Sequence, residues 1–347
     1  MKKHLLYLLL QFISVQLTAQ IENKSEINEW LVENNVPVLG LGMINNGKLS
    51  RIQVYGDLNP KEKAPHNTIF NVASLTKPIT AIVALKLISQ GKWDLDEPIS
   101  KYWIDPDVKN DPRKELLTTR HILSHQTGFP NWRGEKLEFM FTPGTQYQYS
   151  GEGFEYLRKA LEKKFEKRLN EIASELIFEP LKMHDTKYIW DKNTDESRVA
   201  LGFDVDGNNY ELYKRKTENA ADDLLTTIKD YGTFLVSVME GKGLSKNILT
   251  QLHSNQVASK NGKHFTLGFE KYDFKDGNYA LSHGGADKGA QVVVFIFPKT
   301  GQGILIFTNV DDGYKVFEKL LIDHIGEYGR EIIQIETGKE PQYGNKN

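Results

Sequence analysis

Apolar segments rich in β-forming residues lie near the two ends of this chain. Near the start, LGLGMI (39–44) and SRIQVYG (50–56) flank the turn NNG (45–47), and an Asn-Gly pair between two such runs is a hairpin signal. Near the end, QVVVFIF (291–297) and GILIFTN (303–309) are joined by a short turn that contains Pro and Gly. This distribution predicts an α+β fold in which the N- and C-terminal segments form one antiparallel sheet flanked by helices.

Helical patterns occupy most of the remaining chain. The segments with helical periodicity are residues 25–35, 79–88, 154–165, 226–240 and 314–325. The second of these is apolar on nearly every face, so we expect it to be buried. A helical insertion is expected at about residues 93–220, within a single domain of residues 21–336. Residues 337–347 are polar and are expected to form a loose tail.

The composition is that of a globular protein with little net charge. Of its 347 residues, 39% are hydrophobic and 11% are aromatic, and the formal net charge is −2. Such a chain can bury a sizeable core and differs from disordered sequences. Its basic runs are short and mixed with acids, so a nucleic-acid partner is not expected, because phosphate binding requires a basic face.

The first twenty residues, MKKHLLYLLLQFISVQLTAQ, have the layout of a secretory signal peptide: a basic start, a mostly apolar stretch and a small polar end. The apolar stretch is shorter than the roughly 20 residues that cross a bilayer. We therefore expect residues 1–20 to direct export, to the periplasm or out of the cell, without a stable membrane anchor. The chain contains no cysteine, which excludes disulfides, a lipid-bearing cysteine and a cysteine nucleophile.

A serine and a lysine stand three positions apart in NVASLTKPIT (71–80), just before a long apolar stretch. Residues at this spacing share a helix face, and Pro78 is tolerated only in a first turn, so a helix is expected to begin near Ser74. The positive end of that helix favours an alkoxide or oxyanion there. If Lys77 is buried without a carboxylate partner, its pKa falls and it can act as a base for the serine. If it is exposed, the pair is an ordinary capping turn.

Four segments together resemble the serine β-lactamase and penicillin-binding family, in particular its class C β-lactamase, DD-peptidase and esterase branch. They are SLTK (74–77), TTRHILSHQTG (118–128), PGTQYQYSGEGF (143–154) and SHGGADKGAQ (282–291). The resemblance runs in order from about Val38 to Gly326. It implies the β-lactamase/transpeptidase-like fold with a helical subdomain, with Ser74 as the acylated nucleophile and Lys77 as its proton acceptor.

The resemblance also assigns roles to three further residues. Tyr149 corresponds to the tyrosine of the family's Tyr-x-Asn motif, which relays a proton between nucleophile and leaving group, and a phenol near two cations should ionise more easily. Alternatively, Tyr147 and Tyr149 alternate with glutamines as in a half-buried strand. His283 takes the place of the lysine of the family's Lys-Thr-Gly motif. The backbone N–H of Ala286 pairs with that of Ser74 as the oxyanion hole.

The triplet KTG at 299–301 spells the third family motif literally, but we expect it to be a decoy. It lies between two apolar runs, where Pro298 and Gly301 favour a hairpin turn. The triplet HGG at 283–285 instead precedes the apolar run 291–297, which is the arrangement that the family has. The alternative for His283 is a structural imidazole beside two flexible glycines.

Two departures from the family pattern bear on the substrate. Gly151 stands where the Tyr-x-Asn motif has its asparagine, so the amide that would bind a peptide or β-lactam side chain is absent. Gly284, next to Gly285, replaces a hydroxyl-bearing residue, and His283 is largely neutral, so recognition of a substrate carboxylate should weaken. The candidate substrate-binding positions are therefore Gly151, Gly284 and Gly285. Glu152 is expected to be solvated, or else to replace the lost polar contact.

Two other polar pairs have simpler interpretations. His121 and His125 could share a helix face as zinc ligands, but a zinc-protease helix needs Glu where Ile122 stands, so no metal is expected and structural histidines under the site are favoured. Asp222 and Asp223 precede a predicted helix, where N-capping is the simplest role and a substrate contact is the alternative.

Together these features predict an exported serine hydrolase that forms a covalent acyl-enzyme on Ser74, releases it with water and needs no cofactor. The expected substrates are esters or other small acyl compounds, or cell-wall peptides, as for a carboxylesterase or DD-peptidase. A second interpretation is a catalytically silent protein that binds cell-wall or glycan fragments. The intact Ser74, Lys77 and Tyr149 favour the enzyme, and Gly151 keeps the alternative open. The oligomeric state is left open.

Overall fold

The structure of the protein is a computed structural model that describes residues 24–59 and 61–343. Its strands are β1 Val38–Asn45, β2 Lys48–Asn59, β3 Glu62–Lys63, β4 Phe70–Asn71, β5 Leu225–Thr226, β6 Val257–Ala258, β7 His264–Phe265, β8 Glu270–Asp273, β9 Tyr279–Asp287, β10 Ala290–Phe297 and β11 Gln302–Thr308. Its α-helices are α1 Lys24–Glu33, α2 Thr76–Ser89, α3 Thr119–Leu123, α4 Gly151–Phe165, α5 Leu169–Ala173, α6 Glu179–Leu181, α7 Ile228–Met239, α8 Lys246–Leu252, α9 Phe317–Ile325 and α10 Glu327–Thr337.

Nine of the described strands form one antiparallel sheet in the order β3-β2-β1-β11-β10-β9-β8-β7-β6. The pairing of β1 with β11, in which Leu41 lies opposite Ile306, brings the two ends of the chain together. Asn46 and Gly47 both have positive φ angles in the turn between β1 and β2, as the Asn-Gly signal requires. The predicted α+β fold, with a sheet built from both chain ends, is therefore confirmed.

Both faces of this sheet are covered. Alternate residues of β11 point to opposite sides, so that Leu305 and Phe307 join a core with α2, α4 and α7. Ile304 and Ile306 join a second core with α1, α9 and α10. All four side chains are fully buried. A strand that is buried on both faces appears in the sequence as a continuous apolar run, which explains the pattern near the C-terminus.

Two glycines of β1 allow α7 to lie close to the sheet. A Cβ atom at Gly40 would be 2.9 Å from Cγ1 of Ile228, and a Cβ atom at Gly42 would be 2.8 Å from Cγ2 of the same residue. Larger side chains at these positions would push α7 away from β1. The Gly-x-Gly pattern is therefore explained by helix packing.

The long segment between α2 and α7 is mostly helical. From 93 to 220, the regular elements of the described chain are helices and helical turns, which form a helical subdomain beside the sheet. Helix α2 contacts α5 of this subdomain, and the turn that precedes α2 contacts β9 and β10. This helix is buried from Thr76 to Leu87. The start of α2 therefore lies at the seam between the sheet and the helical subdomain.

The two ends of the chain are only partly described. The predicted signal peptide, residues 1–20, lies outside the described residues, and so do residues 344–347 of the predicted tail. Helix α10 ends at Thr337, where the predicted tail begins. Within 24–59 and 61–343, no helix has both the length and the apolar character that a bilayer crossing requires.

Candidate active site

The predicted nucleophile, Ser74, lies in the tight turn Ala73–Leu75, immediately before α2. Ala73 has a positive φ of 44°, a conformation that costs energy for a residue with a side chain. Two hydrogen bonds hold it in place: its N–H donates to Asn71 Oδ1 at 2.8 Å, and Thr76 Oγ1 donates to its carbonyl at 2.6 Å. The backbone is therefore strained beside the serine, and the surrounding structure fixes it.

Lys77 lies inside the protein with its amine against the serine. The side chain has 0% exposure, and Nζ is 2.9 Å from Ser74 Oγ and donates to the carbonyl of Ala221 at 2.9 Å. Burial lowers the pKa of Lys77 to about 7, against the opposing effect of the Asp222 charge. A large fraction of the amine is therefore neutral near pH 7 and has a lone pair that can accept the serine proton. The capping-turn interpretation requires an exposed lysine and does not fit this geometry.

Tyr149 completes the cluster around the serine. Its ring faces Lys77, with Nζ 4.6 Å from the ring centroid, and both Tyr149 and Ser74 border the same cavity. Burial raises the pKa of Tyr149, and the interaction of its hydroxyl with Ser74 opposes this only in part. The expectation that this phenol ionises easily is therefore wrong, and the phenol is protonated at neutral pH. Residues 147–149 are also not a strand, because they form an irregular segment before α4.

His283 lies on β9 with its imidazole 4% exposed. Its Nδ1–H donates to the carbonyl of Gly284 at 2.7 Å. Burial, and then the nearby charge of Lys77, lower the pKa of His283 to about 3. The ring is therefore neutral at physiological pH, as the sequence predicts, and provides no charge for a substrate carboxylate. Its Nε2 is buried and has no hydrogen-bond partner among the described residues.

The two glycines after His283 differ in how much space they have. A Cβ atom at Gly285 would lie 2.5 Å from the carbonyl oxygen of Val72 and 3.1 Å from the backbone nitrogen of Ser74. Glycine is therefore required there, because β9 passes directly against the serine turn. At Gly284 the nearest atom to such a Cβ would be 3.7 Å away, so a Cβ atom would fit at that position.

A cavity of about 410 Å³ opens beside the serine. Its lining includes Ser74, His283 and Ala286, with apolar side chains from several elements, among them Phe265, Val293 and Phe317. Both residues of the predicted oxyanion hole thus border the same space. Tyr149, which precedes α4, and His283 and Ala286 of β9 thus border the same cavity as Ser74.

The decoy triplet 299–301 lies in the turn between β10 and β11. Gly301 has a positive φ of 69°, and its carbonyl accepts a hydrogen bond from Gly47 at 2.8 Å. Lys299 donates to the carbonyl of Gly277 at 2.8 Å. The turn is at the end of β10 away from Gln291, which borders the cavity. The interpretation of this triplet as a hairpin connection fits its position.

The two predicted structural histidines do not share a helix face, because α3 ends at Leu123. His125 is fully buried, accepts a hydrogen bond at Nδ1 from the N–H of Ser150 at 3.1 Å, and packs against Tyr149 with 4.3 Å between ring centroids. His121 instead bonds to the carbonyl of Leu116 at 3.1 Å. Only His125 therefore lies under the site.

The aspartates before α7 have a different role from the predicted one. The N-cap of α7 is Thr227, whose side chain accepts from the N–H of Asp230, so N-capping by Asp222 and Asp223 is wrong. Asp223 forms an ion pair with Arg215. Burial raises the pKa of Asp222, followed by the neighbouring carboxylates of Asp223 and Asp287. Oxygen atoms from the carboxylates of Asp222, Asp223 and Asp287 lie within 4.8 Å of one another. The carboxylate of Asp223 is already paired with Arg215.

Gly151 and Glu152 begin α4. The expectation that Glu152 is solvated is wrong, because the residue is only 6% exposed and its carboxylate pairs with Arg133 at 2.8 Å. A Cβ atom at Gly151 would lie 2.7 Å from Cη2 of Trp132. Sequence reasoning missed Trp132, and its only signal is an aromatic residue between Asn131 and Arg133 in a loop.

The fold, and the Ser74, Lys77 and Tyr149 cluster at its seam, define a β-lactamase/transpeptidase-like protein. The chain belongs to the Beta-lactamase family, whose model matches residues 18–326. A structure of the octameric penicillin-binding protein homologue from Pyrococcus abyssi superimposes with a TM-score of 0.73 at 21% identity, covering 92% of this chain and 78% of that one.

Two curated relatives extend this comparison. Protein flp of Staphylococcus aureus (strain MW2) is 20% identical in an alignment 312 residues long, which covers 82% of this chain and 62% of that protein. The chain thus spans less than two thirds of that relative. Esterase EstB of Burkholderia gladioli is 33% identical over 85 residues, covering 24% of this chain and 21% of that protein.

Proposed function

We propose that the protein is an exported serine hydrolase that forms a covalent acyl-enzyme on Ser74 and acts on esters or other small acyl compounds, with esters preferred. One observation carries the proposal: the Lys77 amine is fully buried 2.9 Å from Ser74 Oγ, and burial lowers its pKa to about 7. A lysine near its pKa at neutral pH can both take and return a proton.

In the acylation step, Ser74 Oγ forms a bond to the substrate carbonyl carbon while its proton passes to the lone pair of Lys77. The resulting oxyanion accepts hydrogen bonds from the backbone N–H groups of Ser74 and Ala286, each worth roughly 3 kcal/mol. When the bond to the leaving oxygen breaks, the protonated phenol of Tyr149 gives that oxygen a proton and regains one from Lys77. The products are the acyl-enzyme, a free alcohol and a neutral lysine.

Deacylation reverses the proton transfers. The oxygen of a water molecule bonds to the acyl carbon and loses a proton to Lys77. The bond between the acyl carbon and Ser74 Oγ then breaks, and the serine oxygen takes the proton back. The free carboxylic acid leaves, and the enzyme returns to its starting state without a cofactor.

Three residues favour esters over substrates that carry a carboxylate, such as β-lactams and peptide C-termini. The imidazole of His283 is neutral because burial lowers its pKa to about 3, Gly284 has no hydroxyl, and Gly151 has no amide. An anionic group therefore finds no charged partner from these positions. The partial likeness to an esterase supports the same preference.

Export is part of the proposal and rests on the layout of residues 1–20. Mass spectrometry of the N-terminus, on protein isolated from separated cell fractions, tests it. We expect the periplasmic or secreted protein to begin shortly after residue 20. A cytoplasmic protein that retains residues 1–20 would contradict export without affecting the proposed chemistry.

The proposed chemistry is tested with p-nitrophenyl acetate, nitrocefin and a fluorophosphonate. We expect a burst of nitrophenol, a fluorophosphonate adduct in the intact mass, and a much lower rate with nitrocefin. Ser74→Ala should lose both the burst and the adduct. If the folded wild-type protein neither reacts with the fluorophosphonate nor releases nitrophenol, a binding protein without turnover is the better interpretation.

A further inference from the structure

We propose that Trp132 is the specificity-determining residue of this site and that it contacts a flat apolar group of the substrate. This inference rests on the proposed function. Trp132 has 42% of its surface exposed, although its ring centroid is 6.0 Å from the Nζ atom of the buried Lys77. The residue before it, Asn131, borders the cavity next to Ser74. An exposed indole thus adjoins the reacting groups.

The indole occupies the space that a side chain at position 151 would need. A Cβ atom at Gly151 would lie 2.7 Å from Cη2 of Trp132, and 2.9 Å from both Cζ2 and Cζ3. With three ring atoms at such distances, a larger residue at position 151 would have to displace the indole. The indole can therefore take this position only because residue 151 has no side chain.

The loop that carries Trp132 is fixed on both sides by the first turn of α4. On one side, the carbonyl of Asn131 accepts hydrogen bonds from the N–H groups of Gly151 and Glu152, both at 3.0 Å. On the other side, Arg133 donates from Nε to Glu152 at 2.9 Å. The indole is thus held against the site by its neighbours, and a preorganised aromatic surface loses little entropy when it binds a ligand.

An indole face offers dispersion contacts and ring stacking, and it supplies no acceptor and one donor. The substrate group that it fits is an aryl or similarly flat apolar group. The partner of this surface is therefore an ester or amide with such a group beside the scissile bond, in place of the hydrogen-bonding acyl amide that an asparagine at position 151 would select.

The first test compares substrates with and without an aromatic group on each side of the ester. Methyl phenylacetate against methyl acetate probes the acyl side, and benzyl acetate against ethyl acetate probes the leaving side. For Trp132→Ala we expect kcat/KM to fall roughly three- to tenfold on the aromatic member of one pair, with little change on its aliphatic partner. Trp132→Phe should retain most of the preference.

Trp30→Ala is the matched control, because Trp30 packs against the core on the opposite face of the sheet. This variant should leave both substrate ratios unchanged. If Trp132→Ala lowers every rate by the same factor, the indole only supports the fold of the site and the proposal is overturned. It is also overturned if no ratio changes.

A second test does not depend on turnover, so it separates failure of this inference from failure of the proposed function. Calorimetry measures the binding of phenylacetamide and N-benzylacetamide, with acetamide as reference, to Ser74→Ala and to Ser74→Ala/Trp132→Ala. We expect one aromatic amide to bind more tightly than acetamide, and the advantage to disappear in the double variant. Equal binding of all three amides by Ser74→Ala would overturn the proposal, whatever the hydrolysis assays give.

The packing itself is tested by Gly151→Ala in two backgrounds. In the wild type this change should lower the melting temperature and the aromatic preference, because the new methyl group displaces the indole. In Trp132→Ala it should have little effect on stability. An equal loss in both backgrounds would mean that the indole does not fill the space next to Gly151, which would also overturn the proposal.

Discussion

Lys77 and Asp222 affect one another's protonation, and the effect can be measured as a pH profile. Lys77 acts as a base only when neutral, so kcat/KM should rise with pH through the pKa of Lys77, which burial lowers to about 7. The negative charge of Asp222 raises that pKa. Asp222→Asn should therefore move the acid limb to lower pH. In mildly acidic buffer, kcat/KM as a fraction of each enzyme's own plateau should be several-fold higher for the variant than for the wild type. The measurement is kcat/KM for p-nitrophenyl acetate across the pH range.

Asp287→Asn is the matched comparison, because the charge of Asp287 raises the pKa of Asp222. Its removal leaves Asp222 more fully ionised near neutral pH, which raises the pKa of Lys77 and moves the acid limb to higher pH. The two variants should thus shift the profile in opposite directions. Profiles that coincide with the wild type would mean that the Asp222 charge does not reach the lysine.

The sequence could predict contacts within one helix, but it could not predict contacts between segments that the fold brings together. Ser74 and Lys77 are three positions apart, so helix geometry alone places them on one face. Trp132 and Gly151 meet only because a loop folds back on α4, and no local pattern encodes that contact. The raised pKa of Tyr149 could not be predicted for a related reason, since it results from burial by distant segments, with a smaller contribution from the charge of Asp222.

At the scale of elements, one arginine links the loop that carries Trp132 to the start of α4 by ion pairs. Arg133 pairs with Asp105 at 2.9 Å and with Glu152 at 2.8 Å, and the side chains of these carboxylates are only 3% and 8% exposed. Arg133→Ala leaves both carboxylates buried without a counter-charge, which should lower the free energy of unfolding by about 3–5 kcal/mol. Urea denaturation at neutral pH measures this loss.

The control is an exposed pair of similar geometry. Lys63 and Asp57 lie 3.0 Å apart with side chains 81% and 47% exposed, so Lys63→Ala should cost less than about 1 kcal/mol. Equal losses for the two variants would show that the carboxylates near Arg133 are solvated when the arginine is absent. The loop would then owe its position to other contacts.

The strands that the sequence predicted are long, although the nine-residue strand β9 and the eleven-residue helix α10 were not predicted. Strands β1, β10 and β11 span eight, eight and seven residues, which is enough for an apolar run to be visible. Strands β6 and β7 have two residues each, and such pairs carry no periodicity, so their addition to the sheet edge follows only from tertiary packing. The start of α4 at Gly151 was also unpredicted, because glycine is a weak helix former.

At the scale of the whole molecule, the fold was predictable because both chain ends encode strands that are buried on two faces. A sheet of this kind can be covered only if helices lie on each side, which the order of the patterns already supplies. The depth of the site was not predictable. It depends on how the chain that follows the helical subdomain closes over Lys77, whose amine donates to the carbonyl of the distant residue Ala221.

This closure should also make stability depend on pH. An exposed lysine in the unfolded chain has a pKa of 10.5, whereas burial lowers the pKa of Lys77 in the folded protein to about 7. Between these values the unfolded state binds more protons, so the free energy of unfolding should rise with pH over that range. Below about pH 7 the buried lysine destabilises the fold by its full amount, and above 10.5 it no longer does.

Lys77→Met removes this group and should abolish hydrolysis, because no base remains for Ser74. It should also stabilise the protein at neutral pH, because folding no longer has to bury an amine that is protonated in the unfolded chain. Urea denaturation at several pH values from neutral to alkaline measures the gain. The gain over wild type should shrink steadily as pH rises towards 10.5, whereas Lys48→Met, at an exposed position of β2, should leave the wild-type slope unchanged. Parallel stability profiles for Lys77→Met and wild type would mean that Lys77 keeps its charge in the folded state, and a charged amine cannot take the proton of Ser74.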